Sequence, residues 1–119
     1  MPPRRDATYS AVCSACDTGV RTDDANETIA FFRRHRRVTG HDVQLDRADE
    51  ELAVPPENVD VTSIVRELQA TYDPGVPVGV VACVMSDHGR SVEETMERIH
   101  ERRMAGTLYE PATDHLRAF

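Results

Sequence analysis

At 119 residues the chain is long enough for one ordinary domain or two very small ones, and domains that small bury little of their surface. Twenty-one acids against fourteen bases, all of them arginine, give a net charge of -7. Without lysine there is no Walker phosphate loop, and the longest apolar run, Val76 to Met85, is far shorter than the ~20 residues that cross a bilayer.

In chain order, Met1 to Asp6 carries no periodic pattern and reads as a loose arm. No apolar segment follows Met1 as a secretory signal would, so a reducing cytoplasmic location is expected. There a close cysteine pair points to a metal or redox site rather than a structural disulfide. Tyr9 to Val12 reads as a strand running into Cys13-Ser-Ala-Cys16. Asp17 to Gly19 then forms a turn and Val20 to Thr22 a returning strand. A helix follows: Asp24 and Glu27 have capping-box spacing, arginines crowd the last turn, and Gly40 supplies a stop.

The stretch from Asp46 to Asp60 combines charge with Pro55-Pro56 and reads as a linker, dividing the chain into modules at 1–50 and 61–119 with the linker at 51–60. Beyond it, Val61, Ile64, Val65, Leu68 and Tyr72 recur at helical spacing behind a capping Asp60. The valine-rich run to His88 suits a buried strand or a buried helix equally, and periodicity does not decide between them. Ser91 to Glu94 is a second capping box. Val92, Met96 and Ile99 form the inner stripe of a helix ending near Gly106, and Thr107 to Phe119 reads as a hairpin turning at Pro111 to Asp114.

Cys13 and Cys16 are followed after eighteen residues by His35, and after five more by His41. Two thiolates on a knuckle and two imidazoles at a helix end make a closed tetrahedral Zn2+ site. On the helix His35 shares a face with Phe31 and Phe32, while Arg33, Arg34, Arg36 and Arg37 spread to the flanks. The bland alternative is a CxxC that binds nothing, with His35 packed in a small apolar core and His41 at the surface. Over Tyr9 to His41 the pattern is similar to the zinc finger family with two cysteines and two histidines. The gap between its pairs is longer than that family's usual one, so base-reading roles are not carried over.

From Val61 onward the order is helix, extended loop, helix, helix, hairpin: a winged helix-turn-helix. Gly106, Leu108, Tyr109, Glu110, Pro111, Leu116 and Arg117 stand where the C-terminal winged-helix domain of archaeal minichromosome maintenance helicases, and the related domain of replication protein A subunits, carry Gly-x-hydrophobic-Tyr-Glu-Pro and Leu-Arg. The resemblance implies that Val78 to His88 is a helix and that the module is an accessory to replication or transcription rather than a motor. The arginine-only, acidic composition resembles that of halophilic archaea. In molar salt the Debye length shrinks to ~3 Å, so only close contacts to a polyanion count.

The expected fold is therefore α+β, a zinc-stapled ββα module followed by a winged helix. Two functions compete. One is a non-enzymatic DNA-associated factor for transcription regulation or replication, with Arg33, Arg34, Arg36 and Arg37, and further on Arg102, Arg103 and Arg117, on phosphate. The other is an adaptor whose acidic winged helix docks on a replication or transcription protein. Residues 54–119 hold six arginines against eleven acids and residues 1–53 eight against ten, so the second half is the more acidic. The arginines near His35 also read as a solvated helix end complementing the helix dipole. Cys83 reads as a core residue, Ser86-Asp87-His88 as a cap and turn, and no catalytic constellation stands out.

Overall fold

The computed structural model describes residues 9–47 and 60–119. The expected N-terminal arm and all of the expected linker except Asp60 lie outside the described residues.

The N-terminal part opens with two antiparallel strands, β1 (Tyr9–Cys13) and β2 (Thr18–Thr22), registered from Tyr9 opposite Thr22 to Cys13 opposite Thr18. Strand alternation turns Ala11 and Cys13 inward and leaves Val12 45% exposed on the far face. Helix α1 (Ala25–Thr39) starts where the Asp24 carboxylate accepts the Asn26 amide. It stops at Gly40, whose left-handed φ of 78° lets its N–H reach the Arg36 carbonyl at 2.8 Å.

A third strand, β3 (Gln44–Arg47), pairs with the other edge of β1 and makes the sheet order β2-β1-β3. The N-terminal unit is therefore ββαβ rather than the expected ββα. Val43 just before the strand and Leu45 within it are buried, an alternation too short to announce a strand locally.

In the C-terminal part, α2 (Val61–Leu68) is capped by Asp60 and buries the expected Val61, Ile64, Val65 and Leu68. A two-residue strand, β4 (Val76–Pro77), leads into α3 (Val78–Asp87), which is buried from Val78 to Met85 and includes Cys83. Burial on every side explains the missing amphipathic period. Helix α4 (Val92–Met104) begins where Ser91 Oγ accepts the Glu94 amide. Its inner stripe is Val92, Thr95 and Ile99 with Met96 only half-buried; Thr95 tolerates burial because its hydroxyl donates to the Ser91 carbonyl at 2.9 Å. Strands β5 (Leu108–Ala112) and β6 (His115–Ala118) form the hairpin, and β6 also pairs with β4, giving the order β4-β6-β5. Pro111 sits within β5 at an irregular register between Tyr109 and Ala112, where a missing amide costs no ladder bond.

The two parts share one core. Helix α1 packs on α3 so closely that a Cβ on Gly79 would stand 1.9 Å from the Ala25 carbonyl oxygen. Beside this contact the Gly79 amide donates to Asn26 Oδ1 at 2.9 Å, and Asn26 Nδ2 donates to the Asp114 carbonyl at 3.0 Å. Strand β3 lies against α3 as well. No described helix is long and apolar enough to cross a membrane.

Candidate metal centre

Cys13 ends β1 and is buried, while Cys16 sits at the surface in the turn before β2. The turn is tightened by two amides, those of Cys16 and Asp17, donating to the Cys13 carbonyl, and by Asp17 at a φ of 56°. His35 lies in the third turn of α1 with its ring stacked on Phe31, centroids 5.3 Å apart and planes 12° from parallel. His41 follows the Gly40 cap. There the Thr39 hydroxyl donates to the His35 carbonyl at 2.7 Å and accepts the His41 amide at 3.1 Å, turning His41 back toward His35.

One ligand atom from each of Cys13, Cys16, His35 and His41 lies within 4.8 Å of the others, a group that could hold a metal ion. His41 Nδ1 is 3.6 Å from Cys13 Sγ and 2.9 Å from Cys16 Sγ. In a tetrahedral shell with metal–sulfur bonds of ~2.3 Å and metal–nitrogen bonds of ~2.0 Å, the sulfur–nitrogen edge is about 3.5 Å. The Cys13 edge already has that length, and the shorter Cys16 edge is a thiol–imidazole hydrogen bond.

The fit rests further on His35, whose buried Nε2 has no hydrogen-bond partner among the described residues. Such a stranded nitrogen costs about 1–3 kcal/mol, a cost that ligation removes. Desolvation, reinforced by the neighbouring Cys13 sulfur, pushes the Cys16 thiol up. A metal must displace that proton to bind, so acid competes with it. Cys83 is buried in α3 and is not part of the group.

Five of the seven arginines proposed for phosphate have other partners. Arg33 gives both ends of its guanidinium to the Asp114 carboxylate, at 2.9 and 3.0 Å, and these hydrogen bonds push its pKa further up. Arg36 holds Glu93 in the same two-pronged way. Arg102 pairs with Asp60 at 3.4 Å and Arg103 with Glu110 at 3.3 Å, while Arg117 donates to the Pro74 carbonyl. Arg34 and Arg37 are exposed and have no ion-pair partner among the described residues. Ser86 and Asp87 end α3, and the His88 amide closes it onto the Met85 and Ser86 carbonyls.

Sequence reasoning missed Asn26, Glu93 and Asp114 as the residues that join the parts. Asp114 occupies the β5–β6 turn at a φ of 57°, the left-handed region asparagine and aspartate tolerate best, and the turn itself is legible in the sequence. Its pairing with Arg33, eighty-one residues away, is not.

Residues 10–47 match the family model described as HVO_B0008 N-terminal, and residues 66–116 match the one described as HVO_B0008 C-terminal domain. The chain is thus similar to that family over both its parts, in the same order, across 89 of its 119 residues. Neither description states an activity. No curated protein and no solved structure matches the chain.

Proposed function

We propose that this chain is a non-enzymatic adaptor in which a zinc ion clasps the N-terminal unit, and the C-terminal part, a winged helix, docks on a protein of replication or transcription. The succession of α2, β4, α3, α4 and a hairpin in the order β4-β6-β5 supports the winged-helix reading. Two thiolates and two imidazoles, with no fifth donor among the described residues, make the closed donor set typical of structural zinc.

One observation carries the choice of adaptor over DNA-binding factor: α1 is fastened to both surfaces that a winged helix offers to DNA. Arg36 holds Glu93 at the start of the would-be reading helix α4, and Arg33 with Asn26 holds Asp114 in the wing turn. A major groove about 12 Å wide admits one helix of about 10–12 Å, and α4 with α1 beside it is too broad. Glu94, Glu97 and Glu101 on the exposed side of α4 oppose phosphate as well.

Fluorescence anisotropy with labelled duplex and single-stranded DNA, from dilute buffer to molar salt, tests this reading. The expected result is no saturable binding at any salt. Binding whose log affinity falls linearly with log salt overturns it in favour of the DNA-associated factor. That second reading draws on Arg34 and Arg37, which have no ion-pair partner among the described residues, and it requires that Arg34→Ala/Arg37→Ala abolish the binding.

A further inference from the structure

Helices α1 and α4 leave an open groove of about 690 Å³ between them, within the ~300–1,000 Å³ span of small-molecule and peptide pockets. Its floor is Phe32 and the half-buried Met96, and the Arg36–Glu93 pair is part of its lining. Above that floor the two walls differ in sign. Arg37 lines the α1 side with no ion-pair partner among the described residues, and Glu97 lines the α4 side likewise. Glu101 continues the acidic wall, and among the described residues only Arg98 pairs with it, at 4.0 Å.

We infer that this groove receives an amphipathic helix of the protein partner, its apolar stripe on Phe32 and Met96, an acidic edge along Arg37 and a basic edge along Glu97 and Glu101. The inference deepens the adaptor reading and rests on it. Glu93, Glu97 and Glu101 stand four residues apart and form a ridge about 12 Å long, the repeat that packs against the i, i+3/i+4, i+7 anchors of an incoming helix. Met96 supplies a soft, adaptable contact at the centre. A second copy of the chain set face to face would lay hollow on hollow, and duplex DNA would meet the glutamate wall. A convex segment with opposite charges on its two edges complements all three features. The apolar floor supplies affinity, and the two walls fix which way round the helix lies.

The test displays a library of sixteen-residue helices with a fixed leucine stripe and flanks randomised among Glu, Lys and Ala, selected on the full zinc-loaded chain. The expected outcome is enrichment of peptides with glutamate on one flank and lysine on the other. Met96→Glu should weaken the best of them at least tenfold, and Glu97→Arg, an exposed change that leaves the fold intact by circular dichroism, should select glutamate on both flanks. The inference is overturned by no enrichment, by enrichment without flank order, or by affinity indifferent to both variants. Peptide displacement by duplex DNA or by self-association also overturns it. If a natural partner is captured equally by wild type, Met96→Glu and Glu97→Arg, the adaptor reading stands and the groove is refuted; salt-dependent DNA binding refutes the reading itself.

Discussion

Replacing Gly79 with alanine probes whether the two parts of the chain are one body. The added Cβ would lie 1.9 Å from the Ala25 carbonyl oxygen and 2.2 Å from its carbon, more than an ångström inside ordinary contact. Both atoms are backbone at the start of α1, so neither can swing aside, and α1 and α3 must separate. Overpacking of this kind costs about 1–3 kcal/mol or more. Loss of the Gly79–Asn26 hydrogen bond adds about 1 kcal/mol, and the gain in helix propensity returns about 1 kcal/mol. The net is a destabilisation of about 1–3 kcal/mol, or roughly 4–12 °C in Tm for a chain of this size. Urea and thermal denaturation of the zinc-loaded protein, followed by circular dichroism, measure it. Gly106→Ala is the control: no atom lies within 4 Å of its Cβ, and the cost is only the left-handed φ of 79°, about 1 kcal/mol. A Gly79→Ala protein as stable as wild type would refute the shared core, because a free α3 gains from the exchange.

Other expectations follow from the same contacts. Arg36→Ala and Glu93→Ala, combined in a double-mutant cycle, should couple by about 0.5–1 kcal/mol, the range of a well-aligned but half-exposed pair; zero coupling would mean that α1 is not held to α4. In chelated protein the raised Cys16 thiol stays protonated to higher pH than a free thiol. The stability it contributes is therefore present below the ordinary thiol range and lost as pH rises through the folded value. Iodoacetamide labelling against pH reads this directly, and a midpoint below that of free cysteine contradicts it.

Much of the local architecture was legible because it is written in short-range chemistry. Asp24, Asp60 and Ser91 cap helices by accepting amides two or three residues on, and Gly40 ends α1 through its own backbone. The grouping of Cys13, Cys16, His35 and His41 was legible for a related reason: thiol and imidazole at such spacing have few other uses together, and the Thr39–Gly40 turn is all that His41 needs to come back to His35. What stayed hidden is non-local. Strand β3 gains its identity only from the free edge of β1, and α3 reads ambiguously because neighbours cover every side of it. The arginines of α1 look like a patch awaiting phosphate until Glu93 and Asp114, fifty-seven and eighty-one residues further on, are brought against them. Charge patterning along a chain says how many ion pairs are possible and nothing about which ones fold into contact.

The account hangs on a metal clasp that fixes α1, since α1 carries Arg33 and Arg36, which hold Asp114 and Glu93 of the C-terminal part. X-ray absorption at the zinc edge on purified protein measures it most directly. One zinc per chain with two sulfurs at about 2.3 Å and two nitrogens at about 2.0 Å is the predicted shell, reduced by one nitrogen or emptied in His35→Ala. A chain that purifies with no bound metal, or a shell that leaves out the imidazoles, would contradict it.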